Sequence, residues 1–175
     1  MIKTLTIKIP ANIEILINNN FLVLKNSKFQ SFLPLLNNFF IYKKKNLLFL
    51  TSKNLKKNTI KFLNLYYKLI SNKIFGLQYG FFSQLECKGL GYKAKVKNNS
   101  LTLKIGLSHK IQIKIPKKIK IFCSKANNIV FFSNDKQFLY QFLYNVRNYR
   151  KPDRYKGKGL KLKKEILKLK EGKKV

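Results

Sequence analysis

Apolar and polar residues alternate with a period of two at Leu5 to Ile9, Ile13 to Ile17, Phe21 to Lys25, Leu85 to Glu86, Tyr92 to Val96, Leu101 to Ile105 and Ile111 to Ile115. Successive side chains of an extended chain point to opposite faces, so each stretch reads as a strand with one face buried. Asn-rich breaks at Asn18-Asn19-Asn20 and Asn98-Asn99-Ser100 supply turns, because asparagine tolerates left-handed backbone and bonds its own neighbours. Helical spacing occurs twice. Over Thr59 to Ile74, the residues Ile60, Leu63, Tyr67, Ile70 and Ile74 share one face. Beyond Asn134, read as an N-cap with Gln137 three residues on, Phe138, Leu139, Phe142, Leu143 and Val146 form an apolar stripe that ends near Arg147.

A repeat organises these elements. Ile7-Lys-Ile-Pro-Ala-Asn-Ile-Glu-Ile15 returns as Ile113-Lys-Ile-Pro-Lys-Lys-Ile-Lys-Ile121, identical at six of nine positions, and each copy is followed by an apolar run opened by Asn, at Asn20 and Asn128. The prolines at matching places argue for duplication over the chance recurrence of Ile-Lys alternation. The pattern therefore predicts an α+β chain: a tandem duplication of two small domains, each an antiparallel sheet packed with one helix. Residues 1–80 form the first and 81–150 the second, with the boundary at Gly76 to Gly80, where a glycine closes the helix before extended chain resumes at Phe81. Residues 151–175 open with Pro152, carry two early glycines and few bulky apolar residues, and are predicted to be an extended basic arm outside the core.

Charge narrows the function. With 38 Lys plus Arg against 6 Asp plus Glu, the 175-residue chain has a formal net charge of +32, distributed as +12, +12 and +8 over the three segments. Such a charge repels itself in a compact free protein, so a polyanion is the expected partner, and nucleic acid the first candidate. The 45% hydrophobic content with 15 Phe and 9 Tyr is enough for packed cores and argues against disorder of the bulk. The longest apolar runs, such as Leu47 to Leu50, are far shorter than the roughly 20 residues of a spanning helix, so no membrane insertion is expected. Met1 to Pro10 alternates like a strand and has neither a secretory h-region nor an Arg-rich transit helix.

Groups suited to catalysis are sparse. The acids Glu14, Glu86, Asp135, Asp153, Glu165 and Glu171 are scattered, and none is paired for acid/base chemistry. His109 follows Ser108 without an orienting carboxylate, so it reads as a structural hydrogen bonder or a phosphate contact. Cys87 and Cys123 lie 36 residues apart in apolar strands with one histidine in the chain, which implies no zinc site and inert thiols. Gly89-Leu-Gly-Tyr-Lys-Ala94 fits a loose dinucleotide fingerprint, but a strand follows where a helix N-terminus is needed, so the glycines are assigned to a bulge or turn. The chain is predicted not to be an enzyme, with no cofactor and no metal. Arg147 to Gly159 is the informative stretch: cations leave the second helix and pass into Tyr155-Lys-Gly-Lys-Gly159, where glycines permit close approach to a phosphate chain and Tyr149 and Tyr155 either stack on bases or pack under the arm.

Pro152-Asp-Arg-Tyr-Lys-Gly-Lys-Gly-Leu160 resembles the P-E-P-Y-K-G-K-G signature of the large-subunit ribosomal protein six family. Gly80-Phe81, Gly89 to Ala94, Gly106 to His109, Asp135-Lys-Gln137 and Val146 to Arg150 fall in that family's order and spacing. The resemblance implies a duplicated two-domain protein of the large ribosomal subunit. It would bind the large-subunit ribosomal RNA near the sarcin-ricin loop and the base of the factor-binding stalk, beside neighbouring ribosomal proteins, and meet translational GTPases transiently. The matching positions are Arg150, Lys151, Tyr155, Lys156, Gly157, Lys158 and Gly159; Lys88, Lys93, His109, Arg147, Arg154 and Lys161 complete the candidate RNA contacts. Two residues depart from the family pattern, Arg154 and Lys110, each standing where proline is usual.

The alternative is a general nucleoid-type protein, which would bind duplex DNA as well as structured RNA. Lys43-Lys44-Lys45 reads as a hairpin tip in preference to an RNA contact. Finally, 35 Lys against 3 Arg, with 19 Asn, follows the codon usage of an AT-rich genome. That usage, and the absent transit peptide, point to an organelle-encoded mitochondrial protein ahead of a plastid or AT-rich bacterial one.

Overall fold

The computed structural model describes residues 4–18, 21–35, 39–52, 56–124 and 127–172. Met1 to Lys3, Asn19 and Asn20 of the predicted turn, and the Val175 end of the tail lie outside them. The chain divides into two compact units, Met1–Gly80 and Phe81–Val175.

The first unit contains β1 (Thr4–Lys8), β2 (Glu14–Ile17), β3 (Phe21–Lys25), β4 (Gln30–Pro34), β5 (Phe39–Lys44), β6 (Leu47–Ser52) and α1 (Lys57–Gln78). They form two antiparallel sheets, β1-β6-β5 and β2-β3-β4. Isoleucines and leucines of both sheets pack against Leu63, Tyr66, Ile70, Ile74 and Leu77 of α1. The expected helix face is thus corrected at one position: Tyr66, not Tyr67, points inward. Its hydroxyl donates to the Pro34 carbonyl at 3.0 Å, which satisfies the buried phenol, whereas Tyr67 stays exposed. Burial raises the Tyr66 pKa above its ordinary value. Gly76 is buried within α1, and the turn out of the helix comes at Gly80, in left-handed backbone with φ 73°. The Lys43 to Lys45 run lies at the tip of the β5–β6 hairpin, with Lys45 at φ 51°.

The second unit contains β7 (Phe81–Lys88), β8 (Lys93–Lys97), β9 (Ser100–Lys104), β10 (Ile111–Lys114), β11 (Lys120–Ser124), β12 (Asn128–Ser133), α2 (Lys136–Asn148) and β13 (Gly159–Leu162). Its sheets are β10-β9-β8 and β11-β12-β7-β13. The apolar stripe of α2 buries Leu139, Leu143 and Val146 against a core that includes Leu85, Leu103, Ile129 and Phe131. Asp135, not Asn134, is the N-cap: its carboxylate accepts from the amides of Gln137 and Phe138. An aspartate there also places negative charge at the positive end of the helix dipole.

The repeated segments form similar turns. Ile13 N–H donates to the Pro10 carbonyl at 3.1 Å and Ile119 N–H to that of Pro116 at 3.0 Å, closing the same turn after β1 and after β10. Ile9 N–H donates to Asn46 and Ile115 N–H to Asn99, each in the tip of a neighbouring hairpin. Ile9, Ile13 and Ile15 are buried, as are Ile115, Ile119 and Ile121. Strand pairing and helix packing equate β1, β6 and β5 with β7, β12 and β11, and β2, β3 and β4 with β8, β9 and β10, since α1 packs on β6 and β1 as α2 packs on β12 and β7. Chain order is the same in both, β1 to β6 then α1 and β7 to β12 then α2, so the duplication is a direct tandem one to which β13 is added. The two sequence copies therefore join different elements: residues 7–15 link β1 to β2, whereas residues 113–121 link β10 to β11, the counterparts of β4 and β5.

The arm needs one correction. Gly159–Leu162 is not free chain but an edge strand, pairing antiparallel with β7 in the register Leu160 to Cys87. Leu160 is fully buried in the second core. The unpaired edge of β7 and a single leucine of the right phase outweigh the basic composition around them.

Candidate nucleic-acid interface

The loop between α2 and β13 is closed by its own hydrogen bonds. Asp153 N–H donates to the Lys158 carbonyl at 2.9 Å, and Gly157 N–H donates to the Asp153 carbonyl at 3.1 Å. The Asp153 carboxylate accepts from Tyr155 N–H at 3.2 Å and from Lys156 N–H at 3.0 Å, and these bonds hold its pKa below the usual carboxylate range. Gly157 completes the turn at φ 66°, a conformation costly for other residues. The turn thus needs no proline at Arg154, whose carbonyl instead accepts from Lys170 N–H at 2.9 Å. Arg154, Tyr155, Lys156 and Lys158 are all exposed on it.

Gly159 fixes the loop to the unit. A Cβ there would sit 2.6 Å from the Lys151 carbonyl oxygen and 2.7 Å from Pro152 Cα, both backbone atoms that cannot swing away. Leu160 N–H donates to the Arg150 carbonyl at 2.9 Å across the same approach. Gly159→Ala is expected to cost about 1 to 3 kcal/mol through overpacking. Gly172→Ala, with nothing near its Cβ, should leave the melting temperature unchanged; calorimetry of the two variants side by side checks this.

Three acids fasten the arm. Glu165 accepts from the Arg147 guanidinium at 2.5 Å and from Leu162 N–H at 3.2 Å. Glu86 pairs with the Lys161 ammonium at 3.2 Å, and Asp153 closes the loop. Arg147 and Lys161, expected to face RNA, therefore have protein carboxylate partners and are only partly exposed. Lys88, Lys156, Gly157, Lys158 and Lys161 come together around a cleft of about 750 Å³, joined by Lys163, which the sequence reading missed. Glu165 is the one carboxylate in the lining, and it is already paired.

Arg150 and Lys151 are exposed where the chain leaves α2. Lys93 lies elsewhere, in a groove on the β8–β9–β10 sheet. His109 is exposed between β9 and β10, with Nδ1 3.5 Å from Ser108 Oγ. Gly89 serves packing, since a Cβ there would lie 2.7 Å from the Tyr92 ring, as one at Gly106 would lie 2.9 Å from it, and Gly91 supplies the turn at φ 71°. Cys87 is buried and its pKa is pushed up to about 11 by desolvation, with the Cys123 thiol adding to it. At neutral pH it is an unreactive thiol.

Two α+β units of one pairing scheme, with lysines gathered around an internally closed glycine loop, define a basic duplicated protein whose exposed chemistry is cationic. Residues 88–162 match the family model described as Ribosomal protein L6. The large ribosomal subunit protein uL6 of Thermosipho melanesiensis is 35% identical, with 96% of this chain and 95% of that protein covered. The uL6m of Reclinomonas americana is 38% identical over 96% and 95%, and the uL6 of Spiroplasma kunkelii is 35% identical over 95% and 93%. The chain belongs to the ribosomal protein L6 family. It is a structural, non-enzymatic protein of the large ribosomal subunit and serves translation. No described helix is long and apolar enough to cross a membrane.

Proposed function

We propose that this protein binds large-subunit ribosomal RNA through the Asp153–Gly159 loop and the lysine cleft beside it, near the sarcin-ricin loop and the stalk base, next to other ribosomal proteins and within reach of translational GTPases. The observation that carries this reading is the closed loop: Lys156 and Lys158 project from a backbone already fixed by Asp153 and Gly159, so little ordering entropy opposes binding. Lysines neutralise phosphates and release counterions, while Gly157 and Gly159 are buried and shape the loop from within. The ribosome is proposed to be mitochondrial, which the AT-type composition and the similarity to a uL6m support.

Lys156→Gln/Lys158→Gln removes two phosphate contacts. Binding to a large-subunit rRNA transcript should weaken about 25-fold at 0.1 M salt, and the slope of log affinity against log salt should fall by about 1.4. Unchanged affinity would remove the loop from the interface, and equal affinity of the wild type for duplex DNA would favour the nucleoid-type alternative. In a low-salt organelle lysate the protein should sediment with large subunits and be released by RNase.

A further inference from the structure

The two equivalent sheets of this chain present very different outer faces. In the first unit the outer positions of the equivalent sheet, β4-β3-β2, form the cross-strand rows Pro34 and Phe21; Phe32, Val23 and Leu16; Gln30, Lys25 and Glu14. The matching rows of β10-β9-β8 are Lys114, Ser100 and Lys97; Gln112, Thr102 and Lys95; then Lys104 and Lys93, with Lys110 just before β10. One lysine becomes six. Codon usage acts on the whole chain and cannot place lysine on one face and Leu, Val, Phe and Pro on its counterpart.

The inner sides of these strands are ordinary core, with Ala94, Leu101, Leu103 and Ile111 buried. Outside, all six lysines are exposed, and five of them, with Thr102 and Gln112, line a groove of about 430 Å³ that holds no carboxylate. Lys93 and Lys104 are direct cross-strand partners, and like charges placed opposite each other destabilise a sheet. Along β8, alternate residues repeat every ~7 Å, so Lys93, Lys95 and Lys97 form a line of point charges without a directional hydrogen-bonding pattern. Such a face fits a chain of phosphates and reads no bases.

We infer that the outer face of the β8–β9–β10 sheet is a second phosphate-binding surface, which grips the backbone of ribosomal RNA without sequence preference, apart from the Asp153–Gly159 loop. The inference extends the RNA-binding function and rests on it. Its test compares full-length wild type, Lys95→Gln/Lys104→Gln/Lys110→Gln and Lys156→Gln/Lys158→Gln on a large-subunit rRNA transcript between 50 and 200 mM salt. With three contacts removed, the face variant should bind about 100-fold more weakly at 0.1 M salt, with a slope shallower by about 2. Its free form should melt at or above the wild-type temperature, since repulsion on the sheet is relieved.

As a measurement independent of any variant's folding, Lys95, Lys104 and Lys110 of the wild type should be protected from acetylation by the transcript and not by poly-glutamate. If only the loop variant loses affinity and these lysines stay reactive in the complex, the face is not an RNA surface and the loop reading stands. If the wild type does not bind the transcript, both fall. Protection by poly-glutamate alone overturns the inference and assigns the face to an acidic protein.

Discussion

Leu160→Ala is expected to destabilise the second unit by about 2 to 5 kcal/mol, the usual range for emptying a buried leucine site. Leu160 is fully buried, and β13 offers little else to hold it, because Leu162 and Lys161 are only partly covered. The rest of the attachment is a four-residue ladder to β7 and the Glu165 and Glu86 ion pairs, and partly exposed pairs contribute at most about 1 kcal/mol each. Loss of the leucine therefore releases the strand and, with it, one side of the basic loop. Denaturant unfolding should show the drop, and amide exchange should show Leu160 and Lys163 N–H opening before the rest of the sheet. Leu160→Met keeps the volume and should cost less than about 1.5 kcal/mol. An alanine variant with wild-type exchange at these amides would mean that the ladder, not the leucine, holds the arm.

The strand was illegible for a physical reason. Gly-Leu-Lys-Leu is too short to show a period and sits in a segment of charge +8, so composition dominates any local reading; only the free edge of β7 makes it a strand. A related failure hides β4, β5 and β6, because Phe32, Phe40, Tyr42 and Leu47 are apolar on the outer face as well and erase the alternation. Where the outer face is polar, as on β1 and β8 to β10, the alternation gave the strands directly. Helix faces were legible to within one residue, since Tyr66 and Tyr67 differ by only a small rotation and a hydrogen bond to Pro34 decides between them. The repeat pointed to a duplication, but its two copies fall at connections that are not equivalent, which only strand pairing and helix packing show. For the site, the Lys-Gly-Lys-Gly motif marked the loop. The capture of Arg147 by Glu165 and of Lys161 by Glu86 could not be read, because each pair is brought together only by folding.

Salt should act on this protein in opposite directions with and without RNA. A chain of net charge +32 repels itself when free, and ions screen that repulsion. The melting temperature of the free protein should therefore rise between 50 and 200 mM salt. Bound RNA stabilises by mass action, about 2.7 kcal/mol when present at 100 times its dissociation constant. If the loop, its cleft and the lysine face supply roughly 6 to 10 phosphate contacts, the same rise in salt removes about three to five decades of affinity. That leaves the RNA below its dissociation constant and its contribution under about 0.1 kcal/mol. Melting curves with and without a large-subunit rRNA transcript should thus be far apart at 50 mM and converge by 200 mM, the free curve moving up as the bound one moves down. A free protein indifferent to salt would show that its lysines are already neutralised within the fold. A gap that persists at 200 mM would mean that contacts other than phosphates hold the RNA.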